Sequence, residues 1–178
     1  MCLDGVSGKS VKHVPDYLDN DFTKSCSLIV PDFEKIDLEL IEHFSKHPSD
    51  LESLGPRKFE ELLEAVFRNH GYRTELTALS GDKGVDLRLW HKDAIGDIVT
   101  LVQAKRYSPL RPIGIEAVQA LFGAVEYERA NRGIFVTTSR YLPGAQEWGK
   151  AVGRRIVLAT SKEVARWCKQ VAERRSQD

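Results

Sequence analysis

Between Arg57 and Asn69 the apolar residues Phe59, Leu62, Leu63, Val66 and Phe67 recur three and four positions apart. That spacing is one stripe of an α-helix, and His70-Gly71 closes it. Ile115, Val118, Leu121, Phe122 and Val125 repeat the pattern and predict a second helix. A shorter one is predicted over Ile36–Phe44, from Ile36, Leu38, Leu40, Ile41 and Phe44. It ends at His47-Pro48-Ser49-Asp50, where Ser49 or Asp50 can cap the next segment. Residues 1–30 hold Gly5, Gly8, Pro15, Asp16, Asp19, Asn20 and Asp21, which break any period and predict an extended arm.

Other segments alternate. Tyr72–Leu79 has the rhythm of a strand, and Ser80-Gly81-Asp82-Lys83-Gly84 that of a tight glycine loop. Val85, Leu87 and Leu89 then alternate with Asp86, Arg88 and Trp90, placing the two sets on opposite faces. His91–Asp97 is expected to be a hairpin turn, longer than the favoured kind. Ile98–Ala104 is β-branched and apolar, as a central strand is. Gly133–Thr138 is a short buried strand of the type common in parallel sheets. Pro109–Pro112 is a loop, Pro143–Val152 helical, Arg155–Leu158 extended, and Ser161–Arg175 helical with Ser161 as N-cap. From Arg57 the order is α-β-β-β-α-β-α-β-α, a mixed central sheet flanked by helices, the α/β class.

Composition narrows the function classes. Of 178 residues, 42% are hydrophobic and 29% charged, ordinary for a globular protein and too apolar for a disordered one. No apolar run approaches the roughly 20 residues that cross a bilayer, so no membrane role is expected. Met1-Cys2-Leu3-Asp4-Gly5 has no secretory pattern. Cys2, Cys26 and Cys168 suggest neither a disulfide framework nor a zinc site, and a reducing, cytoplasmic location is expected. Net charge is zero, but residues 1–64 hold 14 acids against 7 bases, whereas residues 103–155 hold 9 bases against 4 acids. A basic C-terminal half can offer a positive face to a polyanion; scattered solvated charge is the plainer alternative.

The chemistry concentrates in Gly84-Val85-Asp86 and, seventeen positions after Asp86, Gln103-Ala104-Lys105. On a strand Gln103 and Lys105 share a face, and a hairpin partner can bring Asp86 beside them. A lysine on so apolar a strand is costly unless its ammonium has a partner or a task. An aspartate, a second oxygen ligand and a lysine on adjacent strands suit a divalent cation, which can polarise a phosphoryl oxygen and activate water. A strand that merely ends in solvent, with Gln103 and Lys105 as its rim, is the competing interpretation.

The surrounding residues tip that balance. Leu54-Gly55-Pro56-Arg57-Lys58-Phe59-Glu60-Glu61-Leu62 with His70-Gly71-Tyr72 resembles the first helix of Mrr-like restriction endonucleases. Ser80–Asp86 is similar to their glycine-flanked catalytic aspartate, and Gln103-Ala104-Lys105-Arg106-Tyr107 to their glutamate- or glutamine-x-lysine strand. Val118–Gly123 and Gly133–Ser139 resemble the helix and strand next in the family's order. The resemblance spans residues 54–139. It implies a restriction-endonuclease-like core of the PD-(D/E)xK superfamily, here as an Asp…Gln-x-Lys variant, hydrolysing DNA phosphodiesters with Mg²⁺, or with Mn²⁺ in its place. Asp86 would then be the metal-ligating carboxylate, with Gln103 and Ala104 completing the metal set. Lys105 would orient the attacking water, and Glu60 would join through metal-bound water, with Glu64 one turn further as the competing choice. Asp82 is a lesser alternative to Asp86, and Gln119 a candidate neighbour of the cleft. Gln103 departs from the superfamily's usual glutamate: its amide oxygen coordinates a hard cation without bringing charge, so weaker metal binding is expected.

Lys83, Arg106, Arg111, Arg140 and Lys150, in or near flanking loops, are the candidate phosphate contacts. The five histidines show no metal spacing, Ser139 lacks a nucleophile-elbow context, and Trp90, Trp148 and Trp167 are assigned to the core. Residues 1–53 are expected to be an arm and short helix that buttresses the core or binds a partner subunit, with residues 54–178 as the nuclease domain. The resemblance implies prokaryotic defence, a homodimer, and a targeting or ATPase partner. A Holliday junction-type nuclease, and a DNA-binding module without turnover, are the other function classes.

Overall fold

The computed structural model describes residues 38–77 and 84–175. The expected arm over residues 1–30, and the loop residues Ser80, Gly81, Asp82 and Lys83, lie outside the described residues. The chain divides after Asp32, and all described residues belong to the unit Phe33–Asp178.

Five helices and five strands follow the predicted order: α1 (Leu38–Lys46), α2 (Pro56–Asn69), β1 (Arg73–Leu76), β2 (Leu87–Lys92), β3 (Asp97–Lys105), α3 (Ile115–Tyr127), β4 (Arg132–Thr137), α4 (Pro143–Ala151), β5 (Ile156–Ala159) and α5 (Ser161–Arg175). The strands lie in sequence order across one sheet. β1, β2 and β3 pair antiparallel, and β3, β4 and β5 pair parallel. β3 is therefore the central strand, with an antiparallel neighbour on one side and a parallel neighbour on the other.

The sheet is covered on both faces, which is why its middle strands are apolar throughout. On one face Leu40, Ile41 and Phe44 of α1, Phe59, Leu62, Leu63 and Val66 of α2, and Val164 and Cys168 of α5 pack over Leu87, Leu89, Val102 and Ala104. On the other, Val118, Leu121 and Val125 of α3 and Ala145 of α4 pack over Leu101, Phe135 and Ile156. Each fully buried large side chain contributes roughly 1.5–3 kcal/mol. Gly133 permits the second layer: a Cβ there would stand 2.9 Å from both Val125 Cγ2 and Ile156 Cδ1. Cys168 is buried and free, and burial pushes its thiol up to about 12.

Several local expectations change. The segment after His47 is a 3₁₀ turn, Pro48–Ser53, with no side-chain cap at His47; Asp50 instead accepts from His43 Nε2 at 2.8 Å. β1 stops at Leu76 because Thr77 turns its hydrogen bonds toward residues 85 and 86. Val85 packs with the α3 layer while Leu87 and Leu89 face α2, so the expected alternation breaks at Asp86. The β2–β3 turn is shorter than expected, Asp93–Gly96, because Asp93 Oδ1 accepts from the amides of Ile95 and Gly96 and lets the strands extend. The N-cap of α5 is Thr160, not Ser161: its amide and hydroxyl donate to Glu163 Oε2 at 2.8 and 2.6 Å, a capping box. Trp148 and Trp167 pack at the edges of the two cores, whereas Trp90 is half-buried beneath the Arg73 guanidinium, 4.4 Å from its ring centroid.

Candidate active site

The candidate site forms where the segment entering β2 meets the C-terminal end of β3. Register pairs Leu87 with Val102, which carries Asp86 to the Gln103–Ala104 end of β3. There the Asp86 amide donates to the Val102 carbonyl at 2.8 Å, and the Ala104 amide donates to Asp86 Oδ2 at 2.7 Å. The expected approach of Asp86 to the Gln103-Ala104-Lys105 strand is thus made by direct bonds, with the charged acceptor strengthening the second.

Thr77 secures the Asp86 backbone. Its hydroxyl donates to the Val85 carbonyl at 2.6 Å and lies 3.0 Å from the Asp86 carbonyl, to which its amide also donates at 3.0 Å. Arg57, in the first turn of α2, donates to the Thr77 carbonyl at 3.1 Å and to Glu60 Oε2 at 3.0 Å. One guanidinium therefore ties the α2 carboxylate to the segment that carries Asp86.

Glu60 is only 15% exposed. Burial raises its carboxyl above the ordinary 4.5, and the nearby Asp86 charge pushes the same way; Arg57 and Lys105 oppose the shift. Glu60, Asp86 and Lys105 thus share one electrostatic neighbourhood. Glu64 does not join it: it accepts from the Thr74 hydroxyl at 2.9 Å and pairs with Arg68 at 3.1 Å.

Gln103 is buried on β3, and its Oε1 has no hydrogen-bond partner. Its Nε2 lies against Gly84, where an added Cβ would approach to 2.6 Å. A buried oxygen with no donor is the kind of ligand that suits a hard cation. Among the described residues no three His, Cys, Asp or Glu side chains gather as a metal cage. The Lys105 carbonyl accepts from the Thr137 hydroxyl at 2.7 Å, which holds the end of β3 against β4.

The candidate phosphate contacts separate. Arg106 is half-buried with no partner for its Nε, and Arg111 stacks on Tyr107, 4.0 Å from the ring centroid. The Arg140 carbonyl accepts from the Ile113 amide at 2.8 Å, so Arg140 follows β4 beside the loop that leaves β3. Lys150 is exposed in the last turn of α4. Gln119 is exposed on α3, and Lys83 and Asp82 lie outside the described residues. Arg57, Thr77, Thr137 and Thr138 were missed as supporting residues. The spacing of Arg57 from Glu60 and Glu61 at three and four positions was the available signal; nothing local marked Thr77, whose partners lie eight and nine positions on.

A family model described as a restriction endonuclease, the Mrr catalytic domain, matches residues 51–168. The chain belongs to this Mrr family. It is 32% identical over 108 residues to the type IV methyl-directed restriction enzyme EcoKMrr of Escherichia coli strain K12, an overlap of 58% of this chain and 34% of that enzyme. The chain therefore spans about a third of that relative's length. The solved structure of the DNA modification-dependent restriction endonuclease AspBHI matches with a TM-score of 0.53 at 22% identity, over 76% of this chain and 37% of that one. This second likeness concerns the fold: a mixed five-stranded sheet between helices, the core of restriction endonucleases. No helix among the described residues of this Mrr family member is long and apolar enough to cross a membrane.

Proposed function

We propose that this chain is a metal-dependent DNA endonuclease domain that hydrolyses phosphodiester bonds, acting in prokaryotic defence against foreign DNA. The observation that supports the proposal is the bond from the Ala104 amide to Asp86 Oδ2 at the end of β3, on the strand that also carries Lys105 and the buried, unpartnered Gln103 Oε1. Glu60 feels the charges of both Asp86 and Lys105. Membership of the Mrr family supports the same reaction class.

Asp86, the Gln103 amide and the Ala104 carbonyl would hold Mg²⁺, or Mn²⁺ in its place; such an ion lowers the pKa of bound water and neutralises charge on a phosphoryl oxygen. The chain's own groups do the rest. The Ala104 amide fixes the Asp86 carboxylate in one orientation. The Lys105 ammonium, with three donors and no acceptor, orients the attacking water and steadies negative charge on the phosphate. Glu60, held by Arg57 and raised toward neutrality, is suited to exchange a proton with that water. Arg106, Arg111 and Arg140 would grip the DNA backbone. Cutting both strands calls for two sites, hence a homodimer, and residues 1–53 are proposed to engage a targeting or ATPase subunit in the cytoplasm.

A plasmid-nicking assay with Mg²⁺ or Mn²⁺ tests the proposal. Asp86→Asn and Lys105→Ala should each lower nicking by about 10²–10⁴-fold. Equal nicking by wild type and both variants, with any required partner supplied, overturns it.

A further inference from the structure

The chain leaving the end of β3 builds a turn whose tip is apolar. The Arg111 amide donates to the Ser108 carbonyl at 2.9 Å, closing a β-turn with Pro109 in its second position and Leu110 in its third. The Leu110 amide also donates to the Ser108 hydroxyl at 3.3 Å. Both ends are pinned: the Thr138 hydroxyl donates to the Tyr107 carbonyl at 2.7 Å, while the Ile113 amide donates to Arg140 and the Leu142 amide to Ile113, at 2.8 and 2.9 Å. Arg111 folds back over Tyr107, 4.0 Å from the ring centroid. The exposure of Leu110, 92%, is therefore built into a hydrogen-bonded turn.

A single exposed leucine is ordinary on a protein surface. Position and company distinguish this one. The only large hydrophobic residue more exposed among those described is Ile95, at 97%, in the β2–β3 turn at the opposite end of β3. Leu110 instead follows Lys105 by five residues. Arg111 closes its turn and stacks on Tyr107, Arg106 precedes Tyr107 in sequence, and the Arg140 backbone bonds Ile113 just beyond the turn. Cations close to an apolar tip along the chain or through that bond match a duplex, which offers phosphates to the first and base faces to the second.

We propose that the Ser108–Arg111 turn is a DNA wedge, with Leu110 entering a base step beside the cleaved phosphate while Arg111 and Arg140 hold the flanking backbone. The proposal rests on the DNA-cleaving function proposed above and deepens it. Unstacking one step costs a few kcal/mol, least at pyrimidine–purine steps, so a wedge confers sequence preference without reading base edges. Its pinned ends let the turn press against the stack without folding away.

The full chain, with any partner it needs for DNA binding, is mixed in calcium buffer with duplexes carrying 2-aminopurine at successive steps. Wild type should raise the fluorescence at one step severalfold. Leu110→Ser should abolish the rise while weakening binding by no more than about tenfold, and Leu110→Met should retain it. The substituted side chain is solvent-exposed, so folding is unaffected. Binding and nicking with no rise in wild type, or an equal rise in Leu110→Ser, overturns the wedge and leaves the nuclease proposal standing. Loss of both binding and nicking in wild type overturns both.

Discussion

Gly84 and the Gln103 carboxamide occupy adjoining space with no room for a side chain between them: a Cβ on Gly84 would stand 2.6 Å from Nε2. Gly84 also has φ +81°, a left-handed conformation that costs an ordinary L-residue roughly 1–2 kcal/mol. Gly84→Ala should therefore strain the backbone two residues before Asp86 and displace the amide that offers Oε1. We expect a stability loss of about 1–2 kcal/mol in urea unfolding, with a much larger loss of nicking. Unchanged nicking would show that the Gln103 position does not matter to the reaction.

Glu60 sets stability against activity. Its folded carboxyl lies above the ordinary 4.5, first through burial and then through the Asp86 charge. The folded state thus binds this proton more tightly than the unfolded chain. The resulting stabilisation is fully present below about pH 4.5 and is lost as pH rises through the folded value. Above the folded value the charged, mostly covered Glu60 costs stability. In metal-free buffer Glu60→Gln should raise Tm at pH 7 and give no gain at pH 4, while losing nicking activity. A lowered Tm at pH 7 would contradict the shift.

Thr77 binds the segment that carries Asp86 through the Val85 and Asp86 carbonyls. Thr77→Val keeps its volume and removes the hydroxyl from the Val85 and Asp86 carbonyls. The expected cost is about 1–3 kcal/mol in stability, since a buried acceptor loses its donor. Nicking should fall with little change in DNA affinity measured by anisotropy; a parallel fall in affinity would assign Thr77 to substrate binding.

Gln103→Glu adds a charge where the amide oxygen has no partner. Mg²⁺ and Mn²⁺ affinities should each rise by about tenfold or more, because hard-cation affinity follows ligand charge. Calorimetry on the two proteins checks this, and equal affinities would remove Gln103 from the metal set.

The periodicities were legible because each reflects burial by one element. Phe59, Leu62, Leu63 and Val66 announce α2, and the apolar run of β3 announces a strand covered on both faces. The approach of Asp86 to the Gln103-Ala104-Lys105 strand was expected from spacing and motif resemblance, and the Ala104–Asp86 bond makes it. The different surroundings of Glu60 and Glu64 were not legible, since both stand on the same helix one turn apart; they come from β1, where Thr74 engages Glu64, and from Arg57, which binds both Glu60 and the Thr77 carbonyl.

Sequence alone determined the element order, the two-faced core and the residue types available for hydrolysis, because those depend on local spacing and side-chain chemistry. Tertiary structure decided which of them meet. The Ala104–Asp86 bond, the Gly84–Gln103 contact and the pinned Leu110 turn each join residues or segments distant along the chain. Hydrogen bonds act over about 3 Å, and only folding brings such groups that close.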